Sequence, residues 1–390
     1  MPPLFLIQSL AVPVKSFLLQ IPCWLVLFHA LAPAQSKKNP SPDEGLVLPP
    51  IAVDKKKVKE NNQAPPRQIE IPAAVNAETA RISFEIAPVS TKGLLSQQTR
   101  EALRALLRGN RGATVVKLRA FVAGSGDLRR IGDIAGEVFT ERHQPMPALT
   151  VVQVGALPMD GQQVLIESTE MERSPVNPTG LAFVAGQAGD SLAQALDRVH
   201  SAVRAVGSSA GDALRVSCFV SSLDRESASV PRLSSEFSQA ATLVVQMQRA
   251  PVQPGAECEA VVRLHALPQQ PLQYLDPAEV GPAAKGYSQI ALVGAPKLVF
   301  TGAQLGFGTR ENDIKLVFER LGRVLATFQS GFDRIAVSSL YLTNSGLAQK
   351  IRDVRGGFYL ANSPASTLLS FEALPSIDGS FAADLVAITL

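Results

Sequence analysis

The sequence is poor in the residues that most often announce a function. It has three cysteines, four histidines and 6% aromatic residues in 390, so chemistry built on thiols or imidazoles has little to draw on. No Cys/His spacing forms a metal-ligand set: His143, His200 and His265 are scattered, and His29 lies in the N-terminal segment. No metal and no cofactor is therefore expected. The net charge is only +3, which offers a polyanion little to hold, so no nucleic-acid partner is expected. The basic run at Lys55–Glu60 (KKKVKE) stands in a polar stretch and reads as solvated charge. Cys218 and Cys258 fall in expected strands; a disulfide and two buried thiols both stay open. Cys23 has no lipobox before it, since Gln20-Ile21-Pro22 precede it.

What is present is apolar residue and pattern. The hydrophobic fraction of 46% suffices for a packed core, and the length fits two or three domains. Residues 1–34 hold one charge, Lys15, and a nearly continuous apolar run from Phe17 to Ala30, followed by Ala32-Pro33-Ala34. This is the pattern of a cleavable export signal, with Gln35 as the mature start and a periplasmic or extracellular destination. The run is short for a spanning helix and contains Pro22, so no stable membrane insertion is expected after cleavage; an uncleaved anchor is the alternative. Residues 35–80 are rich in Pro, Lys, Asn and Asp without a sustained apolar period. Such a stretch cannot bury enough surface to offset its ordering entropy and reads as a disordered linker.

The folded part reads as three passes through one plan: strand, amphipathic helix, glycine turn, strand, helix, then two strands. The last pass, residues 285–390, is the best formed. Tyr287–Val293 and Lys297–Thr301 are expected to form a hairpin across Gly294-Ala295-Pro296, followed by helices over Ile314–Phe328 and Leu347–Leu360. The middle pass, 173–268, has an amphipathic helix over Ser191–Val206 and a second over Ser229–Gln239. The first, 81–172, has helices over Ser96–Leu107 and Leu128–Glu141. Residues 269–284 read as a linker. A strand closing on proline marks the same place in each pass: VVQVGALP at Pro158, VVQMQRAP at Pro251 and LLSFEALP at Pro375. A repeat of this size is a domain repeat, not a solenoid.

GYSQIALVGAPKLVFTGAQ, FVAGQAG, PAST…ALP…AADLVAI and PALTVVQVGALP…VLIEST together resemble the RidA (YjgF, endoribonuclease L-PSP-like) family. The resemblance implies an α+β fold of the chorismate-mutase-like kind, in which three subunits assemble around clefts. Three tandem units in one chain would build that trimer internally, leaving the chain a monomeric pseudo-trimer. It also implies a small-molecule ligand and hydrolysis of imine or enamine acids by a 2-iminoacid deaminase-like activity. By position, the family's acid falls on Glu167, Glu259 and Asp384, and its hairpin Tyr-Ser on Tyr287 and Ser288. The family's carboxylate-binding arginine falls on Leu149, Thr242 and Ser366, none of which is basic. A guanidinium fork suits a carboxylate because it makes two parallel charge-assisted bonds, and a neutral side chain cannot replace it. The expected roles are therefore acid/base work for Glu167, Glu259, Asp384 and Tyr287, and substrate contact for Ser288, Leu149, Thr242 and Ser366. A pseudo-trimer that binds a ligand without catalysis is the alternative.

A second motif, Gly189-Asp190-Ser191-Leu192, spells the GDSL pattern of a serine hydrolase family, with Asp197-x-x-His200 close behind. In that family the histidine lies far downstream, so Ser191 reads as a helix cap instead.

Overall fold

The computed structural model describes residues 70–124, 126–250, 255–281, 286–359 and 363–389. The expected export signal and most of the 35–80 linker lie outside these residues. The chain is α+β, with helices packed on several sheets.

The first third runs β1 (Ala74–Glu78), β2 (Ile82–Ile86), α1 (Leu95–Gly109), β3 (Thr114–Ala123), α2 (Arg130–Glu141), β4 (Ala148–Val154) and β5 (Val164–Met171). Then come β6 (Leu181–Gly189), α3 (Leu192–Ala205), β7 (Ala213–Val220), two short helices α4 (Leu223–Glu226) and α5 (Val230–Glu236), β8 (Ala241–Gln246), β9 (Ala256–Arg263) and β10 (Leu272–Leu275). The last third is β11 (Ile290–Val293), β12 (Lys297–Thr301), β13 (Gln304–Phe307), α6 (Glu311–Ala326), β14 (Ile335–Leu342), α7 (Ala348–Tyr359), β15 (Ala365–Ser370) and β16 (Gly379–Thr389).

The described residues form three sheets, in the orders β2-β5-β3-β4, β10-β11-β6-β9-β7-β8 and β1-β12-β16-β14-β15, with β13 also on β16. In each, one strand pairs in parallel with the next across a helical crossover: β3 with β4, β7 with β8, β14 with β15. The strand that follows returns antiparallel as β5, β9 or β16. Strand periodicity sorts the side chains. From β3, Leu118, Ala120 and Val122 join Leu103 and Ile134 in a helix-facing core, while Arg119 and Phe121 point inward, away from the helices. β7 repeats this with Val216, Cys218 and Val220 outward and Arg215 and Phe219 inward; β14 does so with Leu340 and Leu342 outward and Ser339 and Tyr341 inward. All three strands slip register near their start, between Val115/Lys117, Ala213/Arg215 and Ile335/Val337. Two further apolar clusters draw residues from all three sheets and fill the interior between them.

Four expectations change. The hairpin across Gly294-Ala295-Pro296 does not form. β11 pairs with β6, Ile290 opposite Val184 and Val293 opposite Leu181, whereas β12 pairs with β1 and β16. The turn serves as a corner between sheets, with the Gly294 and Ala295 amides bonded to the Pro271 carbonyl. Second, the 269–284 stretch expected to be a linker holds β10, the outer strand of the middle sheet. Third, the end of the 35–80 stretch holds β1, which pairs with β12 from the far end of the chain. In both stretches an unsatisfied sheet edge supplies the backbone bonds that the local sequence could not. Fourth, the helix expected over Ser229–Gln239 is shorter: Pro231 sits in the first turn of α5, and Phe237 caps its end. The two cysteines, directly opposite on β7 and β9 and fully buried, are joined in a disulfide.

Candidate functional site

The three acids Glu167, Glu259 and Asp384 do converge. They meet at the centre, between the sheets, each at most 3% exposed and each opposite a cation. Arg119 reaches Glu167 at 2.9 Å and Glu259 at 2.8 Å; Arg215 reaches both at 3.1 Å; Lys117 Nζ lies 2.8 Å from Asp384. A hydroxyl from another sheet completes each carboxylate: Ser217 to Glu167 at 2.8 Å, Thr367 to Glu259 at 2.7 Å and Thr150 to Asp384 at 2.6 Å. Burial works to raise the Glu167 carboxyl, but Arg119 and Arg215 outweigh it and hold it down to about 2. Burial pushes the Lys117 ammonium down, against the pull of Asp384. The space left among these groups is about 30 Å³, room for a water. Three cations answer three anions here, so the charge is spent internally.

An open polar cleft of about 470 Å³ lies elsewhere, between the middle and last sheets. The end of β6 (Gly186, Gln187, Ala188), Glu257 from β9, Tyr287 and Gln289 before β11, Arg352 and Arg355 from α7 and Ser366 from β15 line it, with Arg198 of α3. Gln187 and Gln289 lock the floor, Nε2 of the first donating to Oε1 of the second at 2.9 Å. Arg355 is 1% exposed. Its Nη1 donates to Ser366 Oγ at 2.6 Å, and that hydroxyl donates to the Ser338 carbonyl at 3.0 Å. Among the described residues its Nε has no hydrogen-bond partner and no carboxylate pairs with it. Burial pushes this guanidinium down from its ordinary value, with neighbouring Arg352 adding to that. A buried cation with an open donor is costly unless something anionic meets it.

Glu257 stands in the same wall. Burial, with Glu259 nearby, pushes its carboxyl up to about 8, against the attraction of Arg352. The shift favours the protonated form near neutral pH, in which the carboxyl can donate a proton. Its Oε1 lies against the backbone at Gly186, where an added Cβ would come within 1.7 Å. That glycine lies within the irregularity in the β6–β9 ladder between Val184 and Gln187.

The remaining expected site residues separate. Tyr287 and Ser366 line the cleft. Ser288 is buried beside it, its amide bonded to the Pro364 carbonyl at 3.0 Å. Leu149 lines an apolar cleft of about 340 Å³ with Val151 and Leu305, and its carbonyl accepts from the Ala303 amide. Thr242 sits on β8 opposite Val216. The structure thus brings the three acids together, but with cations and not with Tyr287, Ser288 and Ser366. Ser191 caps α3 by accepting from the Gln194 amide, and His200 pairs with Glu236 at 2.7 Å, which dissolves the serine hydrolase motif.

Two residues of the cleft were missed in the sequence. Arg355 sits on the buried stripe of α7 with Ile351, Val354 and Tyr359; a charge on an apolar stripe was the signal. Glu257 lies two residues before Glu259 and so on the same face of its strand. The Glu-x-Glu pattern holds two candidates, and the position the resemblance implies falls on Glu259.

No family model and no curated protein matches the chain. Solved structures similar to it are members of the YjgF/Rid family. A YjgF-family member from Mycobacterium tuberculosis is 15% identical over 30% of this chain and 99% of its own, with a TM-score of 0.23. A YjgF-family protein from Neisseria meningitidis is 16% identical over 30% of this chain and 95% of its own, TM-score 0.23. A Rid-family protein of unknown function from Yersinia pestis is 14% identical over 31% of this chain and 100% of its own, TM-score 0.29. At such identities and scores these likenesses carry no argument about activity, which rests on the geometry above.

Proposed function

We propose that the chain is an exported, three-unit RidA-like protein with one small-molecule site, the Arg355 cleft, which takes a carboxylate-bearing ligand. The three passes of one strand-and-helix plan, each ending on a parallel pair and a returning strand, support reading the chain as tandem units. Fusion holds the units at high effective concentration and lets each diverge. Such a chain is complete as a monomer.

The observation that carries the site is Arg355: a buried guanidinium that no carboxylate among the described residues pairs with, lining a cleft that Glu257 also lines. Ser366 occupies the position where the resemblance implies an arginine, and it orients Arg355 instead. The guanidinium has moved from strand to helix while the strand residue keeps its place in the contact. In this reading Arg355 binds the ligand carboxylate and Tyr287 packs on it. Neutral Glu257 donates a proton to a basic nitrogen and, once ionised, takes one back from water. For an imine acid, water adds to the carbon of the C=N bond, the nitrogen leaves as ammonia, and a keto acid remains.

The test is hydrolysis of freshly generated imine acids by the purified full chain, with ammonia release as readout. Turnover that falls at least a hundredfold in both Glu257→Gln and Arg355→Gln is expected. Binding of the keto acid without turnover would favour the non-catalytic alternative, and loss of neither in the two variants would overturn the assignment of the cleft.

A further inference from the structure

The charge count of this cleft goes further than a single carboxylate. Arg352 and Arg355 stand at i and i+3 on α7, neighbours one helical turn apart, and both line the cleft. Arg198 faces them from α3 and is tied by a hydrogen bond to the Ala188 carbonyl. Among the described residues none of the three is in an ion pair within the cleft, and the only carboxyl in its wall is Glu257. The central ring offers the contrast within the same molecule: there each arginine meets two carboxylates.

Like charges placed side by side repel, and the low local dielectric strengthens that repulsion. Arg198 is exposed and water answers it; Arg355 is buried and Arg352 partly so. These two cations are the ones left short of negative charge. One monocarboxylate would answer Arg355 and leave Arg352 facing only a protonated acid. We infer that the cleft selects a small dianion, one anionic group on Arg355 and a second on Arg352, either as two carboxylates on a short chain or as a phosphate. The inference rests on the cleft being a carboxylate site, as proposed above. Its volume of about 470 Å³ accommodates such a molecule with space to spare.

Calorimetric titration of the full chain at about pH 7 with succinate, inorganic phosphate and butyrate tests it. Succinate or phosphate is expected to bind at least tenfold more tightly than butyrate, and whichever does so names the source of the two charges. In Arg352→Gln that preference should shrink to threefold or less. Because Arg352 is partly exposed, the variant is expected to melt within a few degrees of the wild type, and the melt is recorded beside the titration. Equal affinity for butyrate and both dianions, or a preference untouched by Arg352→Gln, would overturn the inference and leave the carboxylate site standing. Binding of none of the three anions would overturn the carboxylate site itself.

Discussion

The central ring and the Arg355 cleft are built from the same kinds of residue and behave oppositely. In the ring, arginine, lysine, glutamate and aspartate answer one another in a space of about 30 Å³. In the cleft, arginines and a glutamic acid line about 470 Å³, and among the described residues no carboxylate forms an ion pair with Arg355. The presence of acids at an interface between sheets is therefore no mark of catalysis. What separates a fastening from a site is whether each buried charge is already answered by an opposite one.

The largest way to break this comparison is to remove one cation from each place. Arg119→Met leaves Glu167 and Glu259 to share Arg215 alone, two buried anions on one cation, and a broken buried pair costs about 3–5 kcal/mol. Urea denaturation should show that loss. Arg355→Met removes a buried charge with no carboxylate partner, so its midpoint should stay or rise. Equal losses in the two variants would erase the distinction.

Ligand binding should invert the order. Arg355→Gln is expected to weaken carboxylate binding by about 2–5 kcal/mol, thirtyfold or more, as for a lost buried charged partner. Lys117→Met, in the ring, should leave the dissociation constant of the remaining folded protein unchanged. Titration calorimetry on both variants decides it.

pH sharpens the comparison because the two acids shift in opposite directions. Glu167 is held down to about 2, so its contribution to stability is present above the ordinary carboxylate value and is lost as pH falls through that value towards 2. Glu257 is pushed up to about 8, so the folded state favours its proton; its contribution is full below the ordinary value and is lost as pH rises towards 8. Above about 8 an ionised Glu257 repels an anionic ligand, and affinity should fall by up to about tenfold per pH unit. Glu257→Gln should flatten both alkaline trends and leave the acid limb alone.

The smallest effect is expected from Gly186→Ala. The added methyl would overlap the Glu257 carboxyl, which must swing away. Ligand affinity should change several-fold with no measurable change in the ring, as judged by the acid limb of the stability curve.

The sequence made the elements legible because local pattern determines them. The stripe of α3, the inward and outward alternation of β3, β7 and β14, and the Ser191 cap all follow from neighbours in the chain. It did not reveal the partner of β11, because alternation tells a strand which face to bury and not which edge to join. Nor did it separate Glu257 from Glu259. The two share a face, and what sets them apart is the Arg119–Arg215 pair contributed by other strands. Arg355 escaped for a related reason: its partner Ser366 lies on the next element, and the two read as unrelated until α7 packs on β15.

The exchange of outer strands bears on what the chain can lose. β1 completes a sheet whose other strands begin more than two hundred residues later, and β11 completes the sheet before its own. Removing β1 or β11 would strip a strand from a sheet built mostly from another part of the chain and bare a row of backbone donors and acceptors, the template on which chains aggregate. The interlacing ties the solubility of each of these sheets to a distant stretch of chain: a truncation that spared every residue of the cleft would still be penalised by aggregation.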